Sequence, residues 1–341
     1  MKIGQDYSLE RFNTFHLKIK TRWFIEYEHE KELVKILKNE KFRDLPFLHI
    51  GSGSNLLFLN DFDGVVLHSA IKGIELINET DDVVYVRVGA AEIWDDVVTY
   101  AVNKGWGGIE NLSLIPGETG AAAVQNIGAY GVEIKNVIEK VETISTVSRK
   151  KLTFSNAGCK YDYRTSFFKD KPTCIITYVT LRLQKNPVFN LEYGNLKEIV
   201  DANKPVTLHK VREAVVAIRR KKLPDPNETG NAGSFFMNPV VTPEKLAQLK
   251  KDDPAIPYYP AANGFVKLSA GWLIEQCGLK GKRFGQIGVY EHQALVIVNY
   301  GGATGNEIAR LADHIRETVY QRFSVWLVPE VKYIGELRIE N

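Results

Sequence analysis

The chain has 341 residues, 44% of them hydrophobic and 25% charged, with a formal net charge of +3. That length suits about two or three domains with cores of their own. The near-neutral charge, with bases mixed among acids, argues against a nucleic-acid-binding protein. Cys159, Cys174 and Cys277 form no CxxC pair, which argues against a disulfide framework and for a reducing compartment. The start lacks a signal-peptide pattern, and no apolar run approaches the ~20 residues of a membrane helix. A soluble cytoplasmic protein is expected, and the seven His and three Cys show no metal-ligand spacing.

In chain order, an apolar stretch after Asn13-Thr14-Phe15 leads into a helix over 30–39, where Leu33, Ile36 and Leu37 recur at helical spacing. A short strand over 45–50 runs into Gly51-Ser52-Gly53-Ser54-Asn55, and Leu56 to Leu59 reads as another strand. A dinucleotide-binding turn would have a third glycine and a following helix. Here both are missing, so the loop reads either as a plain glycine turn or as backbone N–H groups shaped for an anion.

A strand over 83–88 and a helix over 92–104 follow, with Gly105 able to end the helix. The stretch from Ile115 to Gly131 is rich in glycine and alanine, which suits either a tight turn with a packed small-residue helix or close approach to a flat or anionic ligand. Strands are expected over 141–148 and 174–183, with Tyr163-Arg164 in the loop between them. A helix over 208–221 has Thr207 as its N-cap. Its end, Arg219-Arg220-Lys221-Lys222, reads as a solvated helix end or as a phosphate grip. Leu223-Pro224-Asp225-Pro226 is a plausible boundary.

Thr242-Pro243-Glu244 opens another helix, 269–277 is a further one, and 295–299 is a strand. Thr304 and Glu307 form a capping box ahead of Ile308, Leu311, Ile315 and Val319. Strands over 325–328 and 331–334 close the chain. These readings stop at a multidomain α+β enzyme with two glycine-rich anion loops.

The residue strings go further. Asn13-Thr14-Phe15, Gly51 to Leu57, Ile115-Pro116-Gly117, Gln125 to Gly131, Tyr163-Arg164, Lys222-Leu223-Pro224, Gly230 to Phe236, Ala270 to Ile274 and Pro329-Glu330-Val331 occur in the order found in one family. The chain resembles the UDP-N-acetylenolpyruvoylglucosamine reductases over nearly its whole length. Leu191 to Leu196 resembles the longer class of that family, in which a tyrosine-bearing loop closes over the substrate.

The resemblance implies an α+β fold, with a two-part FAD-binding region of the vanillyl-alcohol-oxidase type and a smaller α+β substrate domain. The implied parts are 1–71 joined by 332–341, then 72–222, then 223–331. It implies noncovalent FAD held by Gly51, Ser52, Gly53, Ser54, Asn55, Leu56, Ile115, Pro116, Gly117, Gly120, Ala121, Gln125, Asn126, Gly128, Ala129, Gly131 and Arg219. Ala123 departs from the proline of many relatives, which should touch flavin affinity more than chemistry.

The implied substrates are NADPH and UDP-N-acetylglucosamine enolpyruvate, taken in turn at one site. Tyr130, Tyr163, Tyr193, Lys222, Asn238 and Gln293 are the implied substrate residues. By the same resemblance Arg164 holds the substrate carboxylate, Ser234 donates the proton, and Glu330 is the second acidic group. Each has a blander reading, as a surface salt bridge, a turn cap and an exposed strand residue. A monomer without nucleic-acid or membrane partners is expected. The rivals are an oxidase on the same flavin fold and a UDP-sugar-binding protein without chemistry.

Overall fold

The structure, a computed structural model, describes residues 1–200 and 205–335. These separate into two compact units. The first comprises 1–7, 21–52 and 63–219, and the second comprises 8–20, 53–62 and 220 onward. The implied C-terminal segment 332–341 is described to residue 335, and 336–341 lie outside the described residues.

The first unit contains β1 (Lys2–Ser8), β2 (Lys20–Tyr27), α1 (Glu30–Leu37), β3 (Phe47–Ile50) and, beyond β4 (Leu56–Phe58) of the second unit, β5 (Phe62–Ser69). The four strands form a sheet in the order β1-β2-β5-β3, with β3 and β5 parallel. Leu33 and Ile36 of α1 are buried against Ile25, Tyr27, Val65 and Leu67, because the apolar stripe of a helix must cover a sheet face to leave water.

The same unit continues with β6 (Ile74–Glu79), β7 (Val83–Gly89), α2 (Trp94–Asn103), α3 (Thr119–Gln125), β8 (Gly128–Ala129), β9 (Val132–Glu133), β10 (Ile138–Ser145), β11 (Lys151–Ser155), α4 (Phe167–Asp170), β12 (Cys174–Gln184), α5 (Leu196–Val200) and α6 (Leu208–Lys222). A five-stranded antiparallel sheet runs β11-β10-β12-β7-β6. Central β12 is buried along most of its length, and α2 and α3 pack Trp94, Val98 and Ala122 into the core with Val86, Val179 and Leu181. The expected strand over 141–148 lies three residues earlier, because Thr146 to Lys150 form the turn into β11.

The second unit contains β4, β13 (Gly230–Ser234), β14 (Val240–Val241), α7 (Pro243–Asp252), β15 (Tyr258–Pro260), β16 (Val266–Leu268), α8 (Ala270–Gln276), β17 (Arg283–Phe284), β18 (Ile287–Val289), β19 (Val296–Asn299), α9 (Gly305–Phe323) and β20 (Lys332–Ile334). Its main sheet runs β13-β19-β18-β17, and β14-β16-β15 form another. β20 lies parallel to β4. The capping box of α9 forms with both partners, Thr304 Oγ1 accepting from Glu307 N–H and the Glu307 carboxylate accepting from Thr304 N–H.

The strand expected over 325–328 does not form a ladder. The Leu327 carbonyl instead accepts Arg316 Nε at 3.0 Å from α9, and the Val328 carbonyl accepts Met237 N–H at 2.9 Å. The Asn13-Thr14-Phe15 string is a structural anchor. Asn13 bonds the backbone of Leu9 and Leu17, and the Phe15 carbonyl accepts Asn299 Nδ2 at 2.8 Å.

Candidate active site

In the first unit, Gly51 and Ser52 leave the end of β3 with no helix after them. Gly51 needs its missing side chain. A Cβ there would lie 3.1 Å from Glu118 Oε2 and 3.5 Å from the Ala121 Cβ. The loop therefore packs onto the start of α3, and Gly51, Gly117, Gly120 and Ala121 come together. Gly120 is equally confined, since its Cβ would meet Ala90 Cβ at 2.9 Å, and its N–H donates to the Ala90 carbonyl at 2.9 Å.

The segment ahead of α3 is clamped from two helices. Leu114 sits at φ +57°, a left-handed conformation that costs a branched residue energy. Its N–H donates to Asp95 of α2 at 2.5 Å, and its carbonyl accepts Arg219 Nε of α6 at 3.2 Å. Arg212 closes the clamp as a bidentate partner of Asp95, at 2.7 and 2.8 Å. Burial lowers the pKa of Arg219 from its ordinary value, against the opposing pull of Tyr130 and Asp95.

α3 ends at Asn126, φ +45°, whose amide donates to Glu133 at 3.1 Å and to the Asp162 carbonyl at 2.8 Å. β8 and β9 then form a hairpin closed by Tyr130 (φ +47°) and Gly131 (φ +79°). Both central residues are left-handed, as in the tight turns that match strand twist. Asn111 Nδ2 donates to the Tyr130 carbonyl at 2.9 Å, and Asn190 Nδ2 to the Gly131 carbonyl at 3.1 Å. The Tyr130 ring meets Tyr193 edge-on, with centroids 5.9 Å apart. Burial raises the Tyr130 hydroxyl pKa, and the Arg219 charge works against it.

Tyr163 and Arg164 occupy the turn between Asp162 and Thr165, with Arg164 at φ +57°. Ser166 Oγ donates to the Val124 carbonyl at 2.7 Å, which ties this turn to α3. Arg164 reaches back along β8. Its Nη2 donates to the Gly128 carbonyl at 2.6 Å and its Nη1 to the Asn126 carbonyl at 3.4 Å. A Cβ on Gly128 would lie 2.8 Å from Nη1, so glycine there makes room for the guanidinium. The first unit therefore gathers Arg164, Tyr163, Asn126, Gly128 and Tyr130, with Tyr193 against Tyr130. The backbone is left-handed at Asn126, Tyr130 and Arg164, a clustering found at functional sites.

In the second unit, Gly53 (φ +72°) packs on the backbone of Phe12 and Asn13. Asn55 binds the far end of the chain. Its Nδ2 donates to the Glu330 carbonyl at 3.2 Å, and its own carbonyl accepts Lys332 N–H at 3.1 Å. Leu56 pairs with Lys332 at the start of the β4–β20 ladder. Glu330 N–H donates to the Phe235 carbonyl at 2.8 Å, so half-buried Glu330 and exposed Ser234 stand on neighbouring segments.

Ser234 ends β13, where Asn231 makes a bulge: its Oδ1 accepts Gly233 N–H at 2.9 Å, and Gly233 is left-handed at φ +67°. Asn238 Oδ1 accepts Ala270 N–H at 3.0 Å, and Gln293 Oε1 accepts Leu295 N–H at 3.3 Å. Both side-chain oxygens are taken by the fold around the start of α8, and their amide N–H groups suit acceptor oxygens on a ligand. Exposed Lys222 lies at the end of α6.

The first unit's residues fit a flavin. Ser52 Oγ and Gln125 Oε1 are buried with no hydrogen-bond partner among the described residues, and both belong to the segments implied to hold FAD. Sequence reasoning missed Asn111, Asn190, Asp95 and Glu118. Their partners lie far along the chain, and no local pattern marks them.

The segment 22–147 matches a family model described as an FAD binding domain. Residues 225–334 match the model of the UDP-N-acetylenolpyruvoylglucosamine reductase C-terminal domain. A UDP-N-acetylenolpyruvoylglucosamine reductase of Porphyromonas gingivalis is 50% identical over 337 residues, covering 98% of this chain and 100% of that protein. One of Bacteroides fragilis is 46% identical over 332 residues, covering 97% and 99%. The fold is that of the solved reductase of the same name from Thermus caldophilus, with a TM-score of 0.71 at 22% identity over 98% of this chain and 100% of that one. It is also that of 6-hydroxy-D-nicotine oxidase from Arthrobacter nicotinovorans, with a TM-score of 0.53 at 12% identity over 95% and 86%. The α+β fold with an FAD-binding region is as expected, and the chain belongs to the UDP-N-acetylenolpyruvoylglucosamine reductase family.

Proposed function

We propose that the chain reduces the enolpyruvyl group of UDP-N-acetylglucosamine enolpyruvate to the lactyl ether of UDP-N-acetylmuramate, with NADPH as reductant and FAD as cofactor. The reaction belongs to peptidoglycan precursor synthesis. The observation that carries this reading is the 50% identity, over 98% of the chain, with a reductase of that name. The oxidase alternative is disfavoured by that identity, since the flavin fold alone is shared at 12%.

Hydride acceptance from NADPH and hydride donation to the substrate's vinyl carbon are the chemistry FAD supplies when bound. The residues that would hold it are Gly51 to Leu56, the 115–131 segment and Arg219. Glycines let backbone N–H groups approach a diphosphate, and small side chains admit a flat ring.

Arg164 binds the substrate carboxylate. Its guanidinium is anchored by two carbonyls, so it meets developing enolate charge without reorganising. Ser234 holds the proton that passes to the carbon beside the carboxylate. A serine hydroxyl is a weak acid, so the step relies on a strongly basic carbon centre. Glu330, on the segment next to Ser234, stabilises the same charge as the acid. Tyr193 and Lys222 suit the diphosphate, and Asn238 and Gln293 suit the sugar and nucleotide through their amide N–H groups. Tyr130 and Tyr163 line the substrate's path.

We assign FAD binding to 1–71 with 332–341 and to 72–222, and UDP-sugar binding to 223–331. The protein acts as a cytoplasmic monomer on small molecules, in keeping with its near-neutral charge. Anaerobic stopped-flow absorbance tests the reading. NADPH should bleach the flavin band, and UDP-N-acetylglucosamine enolpyruvate should restore it. Bleaching without restoration would mean a different acceptor, and no flavin band would mean a binding protein.

A further inference from the structure

A chain of titratable groups beside the Gly51–Ser52 bend has no part in the chemistry above. His68 of β5 places Nδ1 3.0 Å from Glu26 Oε2 of β2, and Nε2 3.1 Å from Glu118 Oε1 ahead of α3. The side chains of His68 and Glu118 are only 12% and 8% exposed, and that of Glu26 is 31% exposed. The other oxygen of Glu118 is the atom that a Cβ on Gly51 would meet at 3.1 Å. One carboxylate thus reaches the bend after β3 with one oxygen and His68 with the other. Glu118 also lies between Gly117 and Gly120, so the same residue belongs to the segment that opens α3.

A neutral imidazole has a single N–H. Two ring nitrogens, each at hydrogen-bond distance from a carboxylate oxygen, need two protons on the ring. The groups facing it bear this out. Glu26 and Tyr27 come from β2, His49 from β3 and Glu118 from the α3 side, and the Phe24 ring stacks on His68 at 6.2 Å. Burial works against a charged His68, but Glu118 and then Glu26 override it, and the net direction is upward. His49 goes the other way. Burial, with the repulsion of His68, pushes it down to about 3, and its Nε2 lies 2.8 Å from the Tyr27 hydroxyl. One histidine of the two carries the charge.

We propose that His68 and Glu118 are positioning residues for the flavin, the Glu26–His68–Glu118 chain locking the Gly51–Ser52 bend to the 117–121 segment in the spacing that receives it. This rests on the reading that those segments hold FAD. With one proton gone from His68, a ring lone pair faces one of the two carboxylates, the Glu26–His68–Glu118 chain is broken at that link, and the lock between the two segments loosens. The charged arrangement is complete below the ordinary histidine pKa of 6.5 and is lost as pH rises through the raised value in the folded chain. FAD affinity should follow it.

The test is the FAD dissociation constant, measured by flavin fluorescence from about pH 6 to 9 on the wild type, His68→Gln, Glu118→Gln and Glu26→Gln. Two charge-assisted bonds are at stake, so His68→Gln should weaken FAD at least about tenfold at the acid end. Its profile, and that of Glu118→Gln, should be flat, while the wild type weakens toward alkaline pH. Glu26→Gln, the most exposed of the three, should fold normally and show a smaller loss. A wild-type profile that is flat overturns the proposal even if His68→Gln does not fold. Unchanged affinity in folded His68→Gln and Glu118→Gln also overturns it. A wild type that binds no flavin at any pH overturns the cofactor reading itself, and with it the positioning role.

Discussion

Substituting Asp95 by Asn tests whether the Leu114 clamp contributes as its geometry implies. Asp95 binds Arg212 through both oxygens, at 2.7 and 2.8 Å, and the side chains are 24% and 18% exposed. Burial raises the Asp95 carboxyl, but Arg212 and the Leu114 N–H more than offset this, and the net direction is downward. Charge-assisted hydrogen bonds are worth about 1.5–3 kcal/mol each. Two of them set a ceiling of about 3–6 kcal/mol, which partial solvent access reduces to about 2–3 kcal/mol.

The amide of the Asp95→Asn variant would still accept the Leu114 N–H but would leave Arg212 without its counter-charge. Urea unfolding of the wild type, Asp95→Asn, Arg212→Met and the double variant gives the coupling energy directly. Two units need not unfold together, so the coupling is read from the transition that exposes Trp94, buried on the same helix. A coupling of about 2–3 kcal/mol is expected, and one under about 0.5 kcal/mol would refute the reasoning. The folded pKa lies below the ordinary 3.8, so the contribution is present above that value and lost as pH falls through the folded one.

Ser234→Ala should leave FAD loading and flavin bleaching by NADPH intact while substrate reduction falls by at least about a hundredfold. Loss of bleaching in that variant would show that the role is misassigned. Glu330→Gln should also keep its flavin, and normal turnover would dismiss it as the second acid. Arg164→Lys keeps the charge but cannot span the Asn126 and Gly128 carbonyls and a carboxylate together. Its kcat/KM should drop by about a hundredfold with an unchanged flavin spectrum, and a drop of less than about threefold would argue against carboxylate binding. Gly53→Ala would put a Cβ 1.9 Å from the Phe12 carbonyl oxygen at φ +72°. A stability loss above about 3 kcal/mol is expected, and a thermal midpoint within a few degrees of wild type would show that the backbone can yield there.

Much of the local structure was legible. The caps at Thr207, Thr242 and Thr304 all accept the backbone N–H groups expected of them. The strand–loop–strand reading of 45–59, which set the chain apart from a dinucleotide-binding turn, is the observed order, with strands at Phe47–Ile50 and Leu56–Phe58. Less legible were β5 and β13. β5 carries charged and polar residues at its ends, and β13 is mostly glycine and small polar residues, so neither shows a strand's alternation. The expected strand over 325–328 is a continuous apolar run, but its backbone bonds go to an arginine side chain and to Met237 instead of a ladder.

By itself the sequence determined the longer helices, several of their caps, a minority of the strands and, through strings in a family's order, the chemistry to look for. Such signals act over one or two turns of chain, where backbone dihedrals and near hydrogen bonds decide the outcome. Tertiary structure alone decided that Glu330 stands beside Ser234, that Arg164 rests on the carbonyls of Asn126 and Gly128, and that His68 bridges Glu26 and Glu118. These contacts join residues distant in the chain, and they form only when burial closes the intervening segments and removes the water that would otherwise satisfy each group.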